Sequence, residues 1–444
     1  MNRKTRCLML VSVALTCGLC VGADAPRMDG SKFQIGAYLF PSLAELHTEE
    51  HVRDIRDCGI DFLYGVPLKD RKLLDLFSRY GLGCIAVEAV PFWNGGSGSN
   101  AGQMAKARPL DMFVSRAAET EDHPAVWMVD FCDEPSALDF PHIAKVSEKM
   151  KELYPKAIPY INLYPNYASV VQNTGAQTVN QLGTATYAEH ISEYVRTVPL
   201  DYISYDFYVY SAEPDKRRLF LDKYYENLRV VAEACRGSGR SLWFIPQVNS
   251  RFGDLWLSEN MLRFQAWTAM AFGAEVINWA CWGIVDRPEV NVPCLNGWWT
   301  NNVLTLSGER TEQYDKLRKV NGEIHRLGEP YMRYRSVATH FVGSTSGLPS
   351  VSVPGLSGIR SENASALVVG ELAPRAGKTG MAAFVVAADD PFDENPARTR
   401  ILFKSNGRVR VTGPDGARTI EPGPDGCSAV TVVSNAAVLL EVVE

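Results

Sequence analysis

From residue 33 to residue 282 the chain alternates between short apolar runs, rich in β-branched and aromatic residues, and longer amphipathic stretches that open on Ser, Thr, Asp or Glu and close near Gly or Pro. The alternation repeats through the runs Phe33–Phe40, Asp61–Val66, Gly83–Val90, Ala125–Phe131, Ala157–Leu163, Asp201–Tyr208, Ser241–Val248 and Glu275–Trp282, which predict strands. Helices are predicted between them at 48–58, 69–80, 107–118, 138–153, 186–197, 217–236 and 257–272, with a closing helix at 309–327. Most runs are apolar at successive positions instead of alternating, which predicts a parallel sheet covered on both faces. Eight β-α units over about 310 residues predict a (β/α)8 TIM barrel spanning 26–335. An open doubly wound sheet is disfavoured, since nothing like G-x-G-x-x-G follows the first run.

Beyond residue 335 the pattern changes. All nine Trp precede that point, and the tail gives short Val-rich runs at Ala366–Val369, Met381–Ala387, Thr399–Phe403, Arg408–Val411 and Ala429–Val433, punctuated by Gly-Pro, Asn-Gly and Asp-Gly turns. These predict a small antiparallel β-sandwich over 336–444, read as a packing module because it has no tryptophan to offer a sugar ring. At the other end, the basic segment Asn2–Arg6, the apolar run Cys7–Gly22 and the small residues Ala23-Asp24-Ala25 read as a signal peptide cleaved after Ala25. The run is shorter than the roughly 20 residues that span a bilayer, so export to the periplasm or beyond is expected, without stable membrane insertion. A lipoprotein anchor has weak support, because neither Cys17 nor Cys20 follows a good lipobox.

Composition adds exclusions. With 46% hydrophobic and 22% charged residues among 444, the chain is globular and not disordered, collagen-like or coiled-coil. A net charge of −6 without basic runs gives no footprint for nucleic acid. Past Ala25 the cysteines (58, 84, 132, 235, 281, 294 and 427) are odd in number and scattered, with no C-x-x-C pair, so no disulfide framework is predicted. The seven His form no H-E-x-x-H spacing, and neither a metal nor another cofactor is expected.

In a barrel of this kind reactive groups stand at the carboxyl ends of strands. The fourth run leads through Val126-Trp127-Met128-Val129 to Asp130-Phe131-Cys132-Asp133-Glu134-Pro135. Adjacent acids at a buried strand end repel each other and lose solvation; both effects raise a carboxyl pKa, as a proton donor at neutral pH requires. Asp130-x-x-Asp133-Glu134-Pro135 resembles the D/E-x-x-N-E-P signature of the clan of (β/α)8 retaining glycoside hydrolases, in its D-E-P form. The resemblance implies Glu134 as general acid/base, Asp133 at the position of the substrate-binding Asn, and Asp130 as an inward-facing supporting acid. Period-two alternation puts 130, 132 and 134 on one face. The likeness extends to the eight ordered units, an aromatic eighth strand ending at Trp282, and a terminal sandwich.

One departure is plain: on strand seven, where that clan carries its nucleophilic Glu, this chain has Gln247, which cannot form a glycosyl ester. Two other acids offer a partner carboxylate. Asp206, among aromatic residues at the end of strand six, is the first choice; Glu88 interrupts apolar strand three. Trp93, Tyr208 and Trp282, with Tyr38, Phe92, Tyr164, Tyr210, Trp279, Trp298 and Trp299, form an expected aromatic rim for sugar rings, while Asn162, Asn166, Gln247 and Asn249 are expected to hold hydroxyls. The Gly-rich stretch 94–102 follows strand three and is expected to hang over the pocket. The function expected is hydrolysis of a glycosidic bond in an oligo- or polysaccharide. The alternatives are a carbohydrate-binding barrel that has lost its nucleophile, or another pocket enzyme such as a lyase or esterase; the absence of G-x-S-x-G lowers the esterase form.

Overall fold

A computed structural model describes residues 28–443, except 42–43, 88, 97, 114–122, 169–180, 251–254, 284–298, 306, 344–348, 364 and 394. Glu88, Trp298, Cys294 and the expected leader therefore lie outside the described residues, and the expected 94–102 loop is described in part. Each of the eight predicted runs holds a parallel strand: β1 (Gln34–Ala37), β2 (Phe62–Pro67), β3 (Gly83–Val87), β5 (Val126–Asp133), β6 (Ile158–Asn162), β7 (Tyr202–Asp206), β8 (Ser241–Ile245) and β9 (Ala274–Trp279). They follow one another in space as β6-β5-β3-β2-β1-β9-β8-β7, and the two-residue strand β4 (Trp93–Asn94) also lies along β5. The sheet is curled. Its two ends, β6 and β7, meet at one parallel bridge, Leu163 to Tyr205, where the Leu163 N–H donates to the Ser204 carbonyl at 2.9 Å.

The helices are α1 (Glu49–Asp57), α2 (Arg71–Arg79), α3 (Met104–Ala107), α4 (Phe140–Leu153), α5 (Tyr187–Thr197), α6 (Pro214–Ser238), α7 (Glu259–Phe272) and α8 (Glu312–Tyr331). Local chemistry sets several ends. Thr48, Asp70, Ser258 and Thr311 accept N-terminal amides; Thr186 and Glu189 form a reciprocal capping box; and left-handed Gly239 and Gly273 close α6 and α7. Of the helix expected at 107–118, residues 114–118 lie outside the described residues, and the described part, 107–113, is not one helix. Pro109, with fixed φ and no N–H to donate, separates α3 from a single 3-10 turn at Leu110–Met112.

Two antiparallel sheets make up the tail. One runs β10-β13-β14-β19-β16-β17, from β10 (Tyr334–Val342), β13 (Leu367–Pro374), β14 (Ala382–Ala387), β16 (Val409–Gly413), β17 (Gly416–Ile420) and β19 (Ala437–Val442). The other runs β11-β12-β15-β18, from β11 (Val351–Val353), β12 (Leu356–Ser361), β15 (Arg398–Ser405) and β18 (Cys427–Val433). Val369, Val385 and Leu440 of the first sheet share an apolar core with Ile359, Phe403 and Val430 of the second. The alternate residues Val368, Phe384 and Leu439 join the core of the parallel sheet and its helices. That explains α7, which is buried at every position but Glu259 and Arg263, and so reads as apolar all round instead of striped. Gly370 passes so close to α7 that a Cβ there would lie 2.5 Å from the Ala271 carbonyl oxygen.

Candidate functional site

The site begins at the end of β5. Opposite β6, Asp130 pairs with Tyr160, Cys132 with Ile161 and Asp133 with Asn162, so β5 carries one extra residue between Asp130 and Cys132. This bulge breaks the period-two parity expected of 130, 132 and 134. Asp130 and Asp133 instead reach the same interior cluster. Asp130 accepts the Tyr64 hydroxyl at 2.7 Å, and Asp133 takes a longer hydrogen bond from Asn162 Nδ2, at 3.4 Å.

The next residue, Glu134, has φ +46°, in the left-handed region that a side chain disfavours, and its N–H donates to the Asn162 carbonyl at 2.9 Å. The turn is wedged against the loop after β4. A Cβ on Gly95 would lie 2.0 Å from the Glu134 carbonyl oxygen, so only glycine fits; one on Gly96 would lie 3.1 Å from Glu134 Oε2. Tyr164 holds the same loop through its hydroxyl, 2.9 Å from the Gly95 carbonyl.

From the end of β7, Asp206 completes the cluster. Asn162 Nδ2 donates to its Oδ1 at 2.9 Å and the Tyr167 hydroxyl to its Oδ2 at 3.2 Å, while Tyr208 also hydrogen-bonds it. Asn162 is itself oriented. Ser204 Oγ donates to its Oδ1 at 3.2 Å and lies 3.2 Å from the Tyr160 hydroxyl, which lies 2.5 Å from that of Tyr38. The Ser204 proton is committed to the amide oxygen, so Tyr160 donates to Ser204 and Tyr38 to Tyr160. A single file of donors thus runs from the sheet interior to the acids.

Burial, reinforced by neighbouring charge, sets the electrostatics. It pushes the Asp130 carboxyl well above its ordinary range, with the Asp133 charge adding to it and the Tyr64 hydroxyl opposing. Burial, then the Asp206 charge, raises Asp133 to about 7 against the pull of Asn162. Burial raises Asp206 too, opposed by Asn162 and Tyr167. Such a cluster can hold a proton near neutral pH beside a second carboxylate. Among the described residues no group of three or more His, Cys, Asp and Glu is placed to hold a metal ion.

The other predicted residues divide. Tyr208 is half-buried at the cluster and meets Trp299 edge-on at 4.9 Å. Trp93 is buried on β4 beside Cys132, its indole nitrogen without a partner. Gln247 lies elsewhere in function: it is wholly buried, its Oε1 accepts the Tyr210 N–H at 2.7 Å, and its Nε2 donates to the Asn249 and Tyr210 carbonyls. No group is left to hold a hydroxyl. Asn249 is likewise committed, to Asn302 and the Cys281 N–H, and Asn166 Nδ2 donates to the Lys223 carbonyl and the Glu226 carboxylate. Trp282, fully buried, donates to His51 of α1 and so packs outward against the helices; Trp279 does the same toward Asn321. Sequence reasoning missed Tyr64, Tyr160, Tyr167 and Ser204. Ser204 interrupting an apolar strand was the available signal. A cavity of about 520 Å³ opens at the opposite end of the strands, lined by Gln34, Tyr202, Ser241 and Glu275, away from these carboxylates.

No family model matches the chain, and no curated protein matches it in sequence. Among solved structures it is similar to a β-galactosidase from the psychrophilic Marinomonas ef1, at 11% identity and a TM-score of 0.45, over 68% of this chain and 62% of that one. This chain thus spans less than two thirds of that enzyme. A glycoside hydrolase family 5 mannosidase from Rhizomucor miehei gives 11% and 0.45 over 67% and 94% of the two chains. An α-L-arabinofuranosidase from Thermotoga maritima gives 11% and 0.41 over 93% and 96%. At scores below 0.5 these likenesses carry no weight for function.

Proposed function

We propose that this chain is an exported glycoside hydrolase: a (β/α)8 barrel closed at the Leu163–Tyr205 seam, followed by a β-sandwich from about residue 336, acting on the glycosidic bond of a carbohydrate. The observation that carries the proposal is the meeting of carboxylates from strands four and six at one amide nitrogen, Asn162 Nδ2, 2.9 Å from Asp206 and 3.4 Å from Asp133, next to the strained Glu134 turn. Glycoside cleavage asks for one carboxylic acid to protonate the leaving oxygen and a second carboxylate to meet the positive charge developing at the anomeric carbon. Glu134, at the strand-four position of the D-E-P motif, is the acid. Asp206 is the partner, either attacking the anomeric carbon or drawing a proton from the attacking water. Tyr208 and Trp299 supply the apolar faces against which a sugar ring can rest. Export is supported by the basic, apolar and small-residue order of the first 25 residues.

The test is turnover of aryl glycosides and polysaccharides by residues 26–444, with Glu134→Gln and Asp206→Asn beside the wild type. Loss in both variants is expected, and the anomer first formed, read by NMR, assigns retention or inversion. Saturable sugar binding without turnover in all three proteins would instead make the barrel a binding module.

A further inference from the structure

We propose that Asn162 is a positioning residue that holds Asp133 and Asp206 on one shared proton, carried by Asp133, so that Asp206 meets the substrate as the ionised member of the pair. This rests on the assignment of Asp206 as the partner carboxylate.

The geometry is asymmetric. One amide nitrogen has two hydrogens, and the two acids lie in hydrogen-bonding reach of it, one from each flanking strand. The amide cannot turn over without cost, because Ser204 Oγ already donates to its oxygen and is itself supplied by Tyr160 and Tyr38. Two buried carboxylates this close do not both ionise readily; a proton remains between them. Its place follows from the donors. Asp206 collects the shorter Asn162 bond and the hydroxyls of Tyr167 and Tyr208, whereas Asp133 has the longer Asn162 bond and the Glu134 N–H. More donors stabilise charge, so the charge sits on Asp206 and the proton on Asp133.

Among the described residues, the groups around the pair do not supply a competing cation. Asp130 and Glu134 face it from β5 and its end, Tyr38 from just past β1, Tyr64 from β2 and Tyr160 from β6. Tyr164, Tyr167 and Tyr208 face it from the loops after β6 and β7, and Tyr187 from α5. All are acids or phenols. Hydrogen bonds are therefore the available means of holding a charge there, and Asn162 is the donor common to both carboxylates.

The pair titrates as a unit, so both of its macroscopic steps should move when the shared donor is removed. In Asn162→Ala the first proton is lost at higher pH, which raises the acid limb of kcat/KM, and the second also, which extends the alkaline limb, each by roughly one to two pH units. Ser204→Ala keeps the amide and frees its orientation, and should move both limbs the same way by less. A readout without turnover is infrared difference titration: the wild type retains protonated-carboxyl absorption at pH 6, to which buried Asp130 also contributes; Asp133→Asn removes the component that belongs to the pair, and the midpoint of that component rises in Asn162→Ala and Ser204→Ala. Midpoints unchanged in both variants overturn the proposal; if Asn162→Ala does not fold, Ser204→Ala decides. Absence of glycoside turnover by the wild type would refute the hydrolase assignment, while the infrared midpoints still judge the shared proton.

Discussion

Asp133→Asn should stabilise the protein, and more so as pH rises. The carboxyl is raised in the folded state from 3.8 to about 7, chiefly by burial and then by the Asp206 charge. A raised acid favours folding only while protonated: the folded form keeps its proton between those two values while the unfolded form has lost it. Stability therefore falls as pH rises through this window and levels off above it. At about 1.4 kcal/mol per pKa unit the whole window is worth about 4 kcal/mol, of which roughly 2 kcal/mol remains to be lost between pH 5 and pH 7.5. The asparagine carries no charge to desolvate and relieves Asp206 of its neighbour. The gain of Asp133→Asn over wild type should thus be roughly 2 kcal/mol larger at pH 7.5 than at pH 5. Guanidinium unfolding followed by tryptophan fluorescence measures it cleanly, because all nine Trp precede residue 335 and report on the part of the chain that holds the site. A gain independent of pH, or a variant less stable than wild type at pH 7.5, would refute the reasoning.

Three further outcomes are expected. Gly95→Ala drives a Cβ onto backbone atoms of the Glu134 turn and should destabilise by about 1–3 kcal/mol, whereas Gly96→Ala meets only side-chain ends and should displace Asn94 Oδ1 and Glu134 Oε2; melting temperature and turnover, compared for the two, test this order. Glu134→Gly relieves a left-handed residue and should raise stability by about 1 kcal/mol while abolishing turnover, so a lower melting temperature contradicts the strain assigned to that turn. Gln247→Glu restores the residue type of the missing nucleophile, yet turns a carboxylate toward the Tyr210 and Asn249 carbonyls; it should cost about 2–4 kcal/mol without raising activity, and a gain in rate would show that the side chain reaches substrate.

What the chain makes legible is what repeats. Parallel strands buried on both faces write themselves as apolar runs, and helix caps such as Thr186 with Glu189 mark their own positions. Acids at a strand end stand out against such runs, so Asp133, Glu134 and Asp206 could be singled out without coordinates. Their orientation could not. A single inserted residue opposite β6 sets Asp130 and Asp133 on one side, and nothing in the alternation signals it. Amides and indoles misled for a related reason: Gln247 and Trp282 carry the chemistry of a sugar site, but a nearby Tyr210 backbone and His51 claim them, and those partners are distant in sequence. In the tail, β10, β11, β12, β17 and β19 escaped notice; β10 begins before the composition turns Val-rich, and β19 is apolar at successive positions because both its faces are covered.

The seam between β6 and β7 has a mechanical meaning. Elsewhere neighbouring strands of the curled sheet are laced by two or more backbone pairings, but between these two the described residues show one backbone bridge, Leu163 to Tyr205, and the other links are side-chain hydrogen bonds. Opening a sheet along its least-laced line breaks the fewest backbone bonds, so local fluctuation concentrates there. Asn162 stands on one lip of that line and Asp206 on the other, and the hydrogen bond between them is also a clasp. When the clasp parts, the acids lose their common donor before the fold is lost. Leu163 and its neighbours should accordingly exchange their amide protons sooner than the strands of β2 and β3, and the site should fall silent on warming before the tryptophans register unfolding.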